Sequence, residues 1–221
     1  MGKAWAVIVA AGAGRRFGAA KQFALLKGRP LYEWSVEAFE QHEDVEGIIL
    51  VLPAEGAGRP QPALGGKLRA VVAGGKERQD SVLNGFRLVP AGEDRVVLVH
   101  DGARPLVSRE LISRVIQAAG EKGAAVPGLP IEDTVKEAAG DEVVRTLQRT
   151  ALVRVQTPQG FLYSWLGPAL EEAAAGGFYA TDEAMLVERT GRRVVLVAGD
   201  VRNIKITTPL DLKIAEAMSD D

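Results

Sequence analysis

The chain has 221 residues, no cysteine, 47% hydrophobic and 25% charged residues, and a formal net charge of -2. A chain of this size buries roughly 70% of the surface its unfolded form exposes, so its core needs no staple. The near-neutral charge excludes a broadly basic nucleic-acid-binding face. The missing cysteines exclude disulfides, thiolate metal ligands and a cysteine nucleophile. At about 150 residues per domain, one large domain spanning 1–221 is the comfortable reading.

The first element is the apolar run Ala6–Val9. Lys3 followed by Ala4 to Gly14 imitates a secretion signal, but it ends in Gly12-Ala13-Gly14 and Arg15-Arg16 where a cleavage site would be wanted. It also falls short of the about 20 apolar residues that span a membrane. The expectation is a buried strand leading into a glycine loop, in a cytoplasmic protein with no membrane or nucleic-acid partner. Pro30 then opens a helix over Leu31–Phe39. A strand at Ile48–Leu52 precedes a loose Gly/Pro/Ala-rich excursion, Pro53–Gly66, and a further strand at Leu68–Val72. Asp80-Ser81 falls in or just before a turn into the helical positions Val82, Leu83 and Phe86.

After the strand Val96–Val99, Ser108 caps a helix carrying Leu111, Ile112, Val115 and Ile116. Thr134–Glu137 and Glu142–Leu147 then read as a hairpin around a Gly140-Asp141 turn. A lone ribbon is marginal in water, so this arm, at about 134–150, must lean on a sheet or on a second subunit. A strand at Val194–Val197 follows, and Thr208-Pro209 starts the last helix. Apolar runs that do not alternate indicate strands covered on both faces, as in a parallel sheet. The fold expected is α/β: a Rossmann-like three-layer sandwich with a mostly parallel central sheet, right-handed crossovers and a protruding β-arm.

Chemistry concentrates at strand ends. Ala10-Ala11-Gly12-Ala13-Gly14 after the first strand lets backbone N–H groups approach a phosphate closely. Arg15, Arg16 and Lys21 add cations suited to a triphosphate whose pyrophosphate leaves, and no Gly-Lys-Ser/Thr follows to make a Walker loop. His100-Asp101-Gly102-Ala103-Arg104-Pro105 follows another strand, putting Asp101 where a metal or ribose would sit. Thr157-Pro158-Gln159, Thr181-Asp182-Glu183 and Asn203-Ile204-Lys205 are bland singly; the second could simply cap a helix.

In order, AAGAGRRF with KQ, GGKERQDSV, VHDGARP, DTVK, QTPQGF, TDEA and NIKIT resemble the 2-C-methyl-D-erythritol 4-phosphate cytidylyltransferases of the non-mevalonate isoprenoid pathway, from Val7 to about Leu212. The motifs separate this family less sharply from ribitol-5-phosphate cytidylyltransferase, the alternative. The resemblance implies transfer of CMP from CTP to a sugar-alcohol phosphate, with Mg²⁺ as cofactor. It implies Arg16, Lys21 and Lys205 as catalytic cations, and nucleotide contacts from Ala10, Ala11, Gly12, Gly75, Ser81, Asp101 and Gly102, with Asp101 also near the metal. It implies acceptor contacts from Asp101, Arg104, Thr134, Thr157, Lys205 and Arg149, the last reaching in from the partner of a homodimer. Two residues depart from the pattern. Val9 stands where a proline is common, and Lys76 stands where an acidic residue often follows Gly-Gly, removing a carboxylate contact to the sugar or base.

Two rival readings want other signals. A nicotinamide oxidoreductase needs an acidic residue about 20 residues after its glycine loop, and Glu55 comes far too late. A non-catalytic nucleotide sensor would not need Lys21, Asp101 and Lys205 together. Neither His42 nor His100 is assigned a catalytic role.

Overall fold

The computed structural model describes residues 3–12, 24–57 and 65–219. Its elements run β1 (Ala4–Val9), a ribbon of β2 (Leu25–Leu26) and β3 (Arg29–Pro30), α1 (Leu31–Glu40), β4 (Val45–Leu52) and the short α2 (Ala54–Ala57). There follow β5 (Leu68–Ala73), α3 (Arg78–Phe86), β6 (Val96–Asp101), α4 (Arg109–Lys122) and β7 (Ala124–Pro130). The hairpin β8 (Lys136–Ala139) and β9 (Glu142–Thr146) precedes β10 (Val153–Val155), β11 (Gln159–Leu162), α5 (Tyr163–Ala175), α6 (Glu183–Arg189), β12 (Val195–Ala198) and α7 (Pro209–Met218).

β1 shows why the apolar runs are unbroken. Successive side chains of a strand point to opposite faces. Ala6 and Ile8 pack with Val36, Phe39, Leu111 and Ile112 of α1 and α4, whereas Trp5 and Val7 pack with Val82, Phe86, Leu166 and Leu170 of α3 and α5. Both faces are covered, which makes the three-layer α/β sandwich. Burying each such side chain contributes about 1.5–3 kcal/mol. A third, smaller cluster of Leu26, Leu31, Ile206 and Ala215 ties α7 to the ribbon.

The main sheet runs β10-β7-β11-β6-β1-β4-β5, with β12 also along β7. β4, β1, β6 and β5 pair in parallel, and β12 pairs in parallel with β7. β11 is antiparallel to both β6 and β7, a reversed strand wedged into a mostly parallel sheet, and β10 is antiparallel to β7 at the edge. Ser108 accepts from the Leu111 N–H and caps α4, and Thr208 caps α7 with Pro209 in its first turn, both as expected. Among the described residues no helix is long and apolar enough to cross a membrane.

Several boundaries move. β1 and β4 begin earlier, at Ala4 and Val45, and β6 runs on to Asp101. The hairpin strands are Lys136–Ala139 and Glu142–Thr146, so Thr134 lies before the ribbon; Gly140 sits at φ 59° in its turn. Every residue of β8 and β9 is exposed, and the two pair with each other apart from the main sheet. α3 begins at Arg78 rather than beyond Ser81, because Glu77 and Asp80 form a reciprocal capping box around its first turn.

Candidate active site

The carboxyl ends of β1, β5 and β6 converge on a cleft of about 330 Å³ lined by Ala10, Ala11, Gly12, Gly75, Ser81, Asp101 and Lys205, with Lys76, Glu77 and Arg78. The loops meet there only because their residues are small. A Cβ on Gly74 would lie 2.3 Å from the Ala11 Cβ, and one on Gly102 would lie 2.9 Å from the Ala10 Cβ. Backbone bonds fix the approach: Ala10 N–H donates to Val51 O at 2.8 Å, and Gly102 N–H to Val9 O at 2.9 Å. Gly102 thus backs the cleft. Gly75 N–H donates to Ser81 Oγ at 3.0 Å, and Ser81 donates to Glu77 O at 3.1 Å. That leaves the Ser81 oxygen one lone pair without a protein donor.

Asp101 is the electrostatic centre. Its Oδ2 lies 2.7 Å from Lys205 Nζ, and its Oδ1 accepts from Arg78 Nε at 3.0 Å. Burial alone would push this carboxyl up, but Arg78 and Lys205 outweigh it and hold it well below the usual carboxylate range. Arg78 Nη1 in turn donates to both oxygens of the buried Glu183, at 2.7 and 2.9 Å. Burial pushes Glu183 up and Arg78 works against that.

Behind Asp101 runs a buried relay. Asp101 N–H donates to Thr157 Oγ1 at 3.1 Å, Thr157 Oγ1 lies 3.2 Å from His100 Nδ1, and His100 Nε2 lies 3.2 Å from Arg104 O. Since a backbone oxygen only accepts, His100 must be the Nε2–H tautomer, with Nδ1 accepting the Thr157 proton. Burial holds His100 down to about 4, so it is neutral at pH 7, a structural histidine. His42 bonds Ser113 Oγ at 2.9 Å, and neither residue lines the cleft. Arg104 is buried, its Nη1 donating to Asn203 O at 2.7 Å; Asn203 Nδ2 donates to Thr157 O at 2.8 Å.

The predicted residues therefore divide. Ala10, Ala11, Gly12, Gly75, Ser81, Asp101 and Lys205 share the cleft, while Gly102, Arg104 and Thr157 are buried next to it and do not line it. Arg16 and Lys21 lie outside the described residues. Thr134 and Arg149 are exposed and do not line this cleft; Arg149 bonds Glu132 O beside Pro130, Ile131 and Leu152. Within Thr181-Asp182-Glu183 it is Asp182 that caps α6, accepting from Met185 N–H.

The sequence matches the family described as 2-C-methyl-D-erythritol 4-phosphate cytidylyltransferase over residues 4–220. The chain belongs to this family. The cytidylyltransferase of that name from Geobacter metallireducens is 45% identical over 222 residues, covering 96% of each chain. That from Geobacillus thermodenitrificans is 44% identical over 219 residues, covering 96% of this chain and 95% of its own. The crystal structure of the cytidylyltransferase from Thermus thermophilus is 38% identical, covers 97% of this chain and 98% of its own, and superposes with a TM-score of 0.83. Within this cytidylyltransferase framework, Arg78 and Glu183 are the residues that sequence reasoning passed over. Both sat inside the quoted motifs GGKERQDSV and TDEA, but only their meeting across more than a hundred residues reveals their role.

Proposed function

We propose that the chain joins CTP to 2-C-methyl-D-erythritol 4-phosphate, releasing pyrophosphate and forming 4-diphosphocytidyl-2-C-methyl-D-erythritol. The supporting observation is the cleft in which small-residue loops from β1 and β5 face Lys205 and Asp101, in a chain of this family. The acceptor's phosphate oxygen attacks the α-phosphorus in line, and the bond to the bridging oxygen breaks as pyrophosphate leaves. A phosphate monoester is largely a dianion at pH 7, so no general base is needed. Catalysis is positioning and charge neutralisation. The backbone at Ala10–Gly12 holds the phosphates, Gly75 and Ser81 face the base, and Arg16, Lys21 and Lys205 neutralise the crowded phosphates. Arg104 and Thr157 shape the acceptor side from below, with Thr134 and the partner's Arg149 closing it in a homodimer.

The described residues contain no cluster of three or more His, Cys, Asp or Glu able to hold a metal alone. A carboxylate at the cleft, as Asp101 supplies, suits Mg²⁺, which usually takes one or two carboxylates and fills its shell with water and substrate phosphates. Asp101 would hold it, since each of its oxygens keeps a lone pair beside its cation partner. When bound, Mg²⁺ neutralises phosphate charge. The test is pyrophosphate release across four nucleoside triphosphates, with methylerythritol phosphate or ribitol 5-phosphate as acceptor. The expected result is turnover with CTP and methylerythritol phosphate, abolished by EDTA and restored by Mg²⁺. Preference for ribitol 5-phosphate would overturn the acceptor, and full activity in chelator would remove the metal.

A further inference from the structure

Four charges meet at the cleft in a chain of alternating sign: Lys205, Asp101, Arg78 and Glu183. The first three reach the cleft, but Glu183 does not. It is 1% exposed, and burying a carboxylate is costly unless a cation compensates it. Its position is fixed from the sheet. Gln159, on β11 and paired with Val99 of β6, accepts from Ala184 N–H at 3.2 Å and donates to the cap Asp182 at 2.8 Å. Arg78 is fixed from the other side by the capping box of α3. Its guanidinium spans carboxylates carried by two different elements, with the Nε and Nη1 donors held in one rigid plane that a rotating ammonium does not fix.

We infer that Glu183 is a positioning residue for the transfer reaction: it anchors Arg78 so that Arg78 braces Asp101, which in turn seats the Lys205 ammonium at the cleft. This rests on the functional reading above. With the Glu183 charge present, Arg78 is neutralised and withheld from the phosphates. Without it, Arg78 is an unpaired cation at the rim of a phosphate site. It turns both its donor edges onto Asp101 or onto the incoming triphosphate, and Lys205 loses its seat in either event.

The signature is opposite to that of damage to the fold. Glu183→Gln is expected to bind CTP as tightly as the parent or more tightly, while kcat falls about tenfold, the pattern of an interaction used in the transition state. Glu183→Asp keeps the charge on a shorter arm and recovers more kcat than the isosteric Gln. A packing role alone predicts the reverse order. Arg78→Lys, which disturbs Glu183 least, should lose kcat as Glu183→Gln does. Turnover within threefold of the parent in both Glu183→Gln and Arg78→Lys, or Gln outperforming Asp, overturns the inference.

A readout independent of turnover comes from the Arg78 Nη1 protons, which are donated to both Glu183 oxygens and are assigned by their loss in Arg78→Lys. Their exchange with solvent, followed by nitrogen-15 NMR of the full chain without substrate, should be at least tenfold faster in Glu183→Gln. Unchanged exchange sinks the anchor whatever the activity. A parent that makes no cytidylyl product sinks the functional reading instead, and the exchange measurement then decides the anchor alone.

Discussion

His100 illustrates how a single buried residue links the site to stability. Its folded pKa, held down to about 4 by burial, lies below the ordinary value of 6.5. Between those values the unfolded chain binds a proton that the native chain refuses, so stability falls as pH drops from about 6.5 to about 4 and levels off below. A shift of that size corresponds to on the order of 3 kcal/mol. His42 is also lowered, first by burial, and acts in the same direction; Asp101 stays ionised through this window because Arg78 and Lys205 outweigh its burial. His100→Gln removes the titration while keeping a side-chain N–H donor and an acceptor. In urea melts, the stability difference between parent and variant should shrink by that order between pH 6.5 and 4. A difference that stays constant with pH would show that His100 titrates normally. The residue also shows a limit of sequence reading: the sequence offered no reason to assign it a catalytic role, but its bond to Thr157, and through it to Asp101, depends on β11 lying antiparallel to β6.

Elements were legible where a local signal decides them. Ser108, Thr208 and Pro30 mark helix starts because caps are short-range chemistry, and the runs in β1, β4 and β6 read as doubly covered strands from their unbroken, non-alternating apolar pattern. β7, Ala-Ala-Val-Pro-Gly-Leu-Pro, carries two prolines and a glycine and lacks the usual strand composition, yet β11, β12 and β10 all pair with it. β11 is only Gln159–Leu162, and its reversed direction is a property of the sheet rather than of its own residues. For the same reason the loop residues of the cleft could be picked out, whereas the Arg78–Glu183 pair could not. Packing also overrides propensity within α3. Gly85 costs the helix about 1 kcal/mol relative to Ala. A Cβ there would lie 2.6 Å from Val7 Cγ1 and 2.9 Å from Val51 Cγ2, both stiff β-branched side chains. Overpacking costs about 1–3 kcal/mol, so Gly85→Ala should be net destabilising despite the better helix former. A lower urea midpoint with unchanged denaturant dependence is the expected result, and an unchanged or raised midpoint would refute the close approach.

At the scale of the whole molecule, the surface carries apolar groups that one chain leaves uncovered. Val143 and Val144 on the hairpin are 62% and 58% exposed, and Leu196 and Val153, at 57% and 40%, both lie within 3.3 Å of where a Cβ on Gly128 would sit. Arg149 follows the hairpin but stands outside the Lys205 cleft of its own chain. The proposed homodimer accounts for both facts by seating the hairpin on a second copy and bringing Arg149 to that copy's acceptor phosphate. An isologous dimer of this kind can be tested by complementation. Arg16→Ala chains and Arg149→Ala chains, each nearly inactive alone, are mixed after reversible dissociation. In a mixed dimer one site collects both defects and the other collects neither. With random pairing half the dimers are mixed, so roughly a quarter of parental activity should return. If Arg149 serves its own chain, every site keeps one defect and no activity returns. A monomer by light scattering at the assay concentration would defeat the shared site equally, because Arg149 would then have no second cleft to enter.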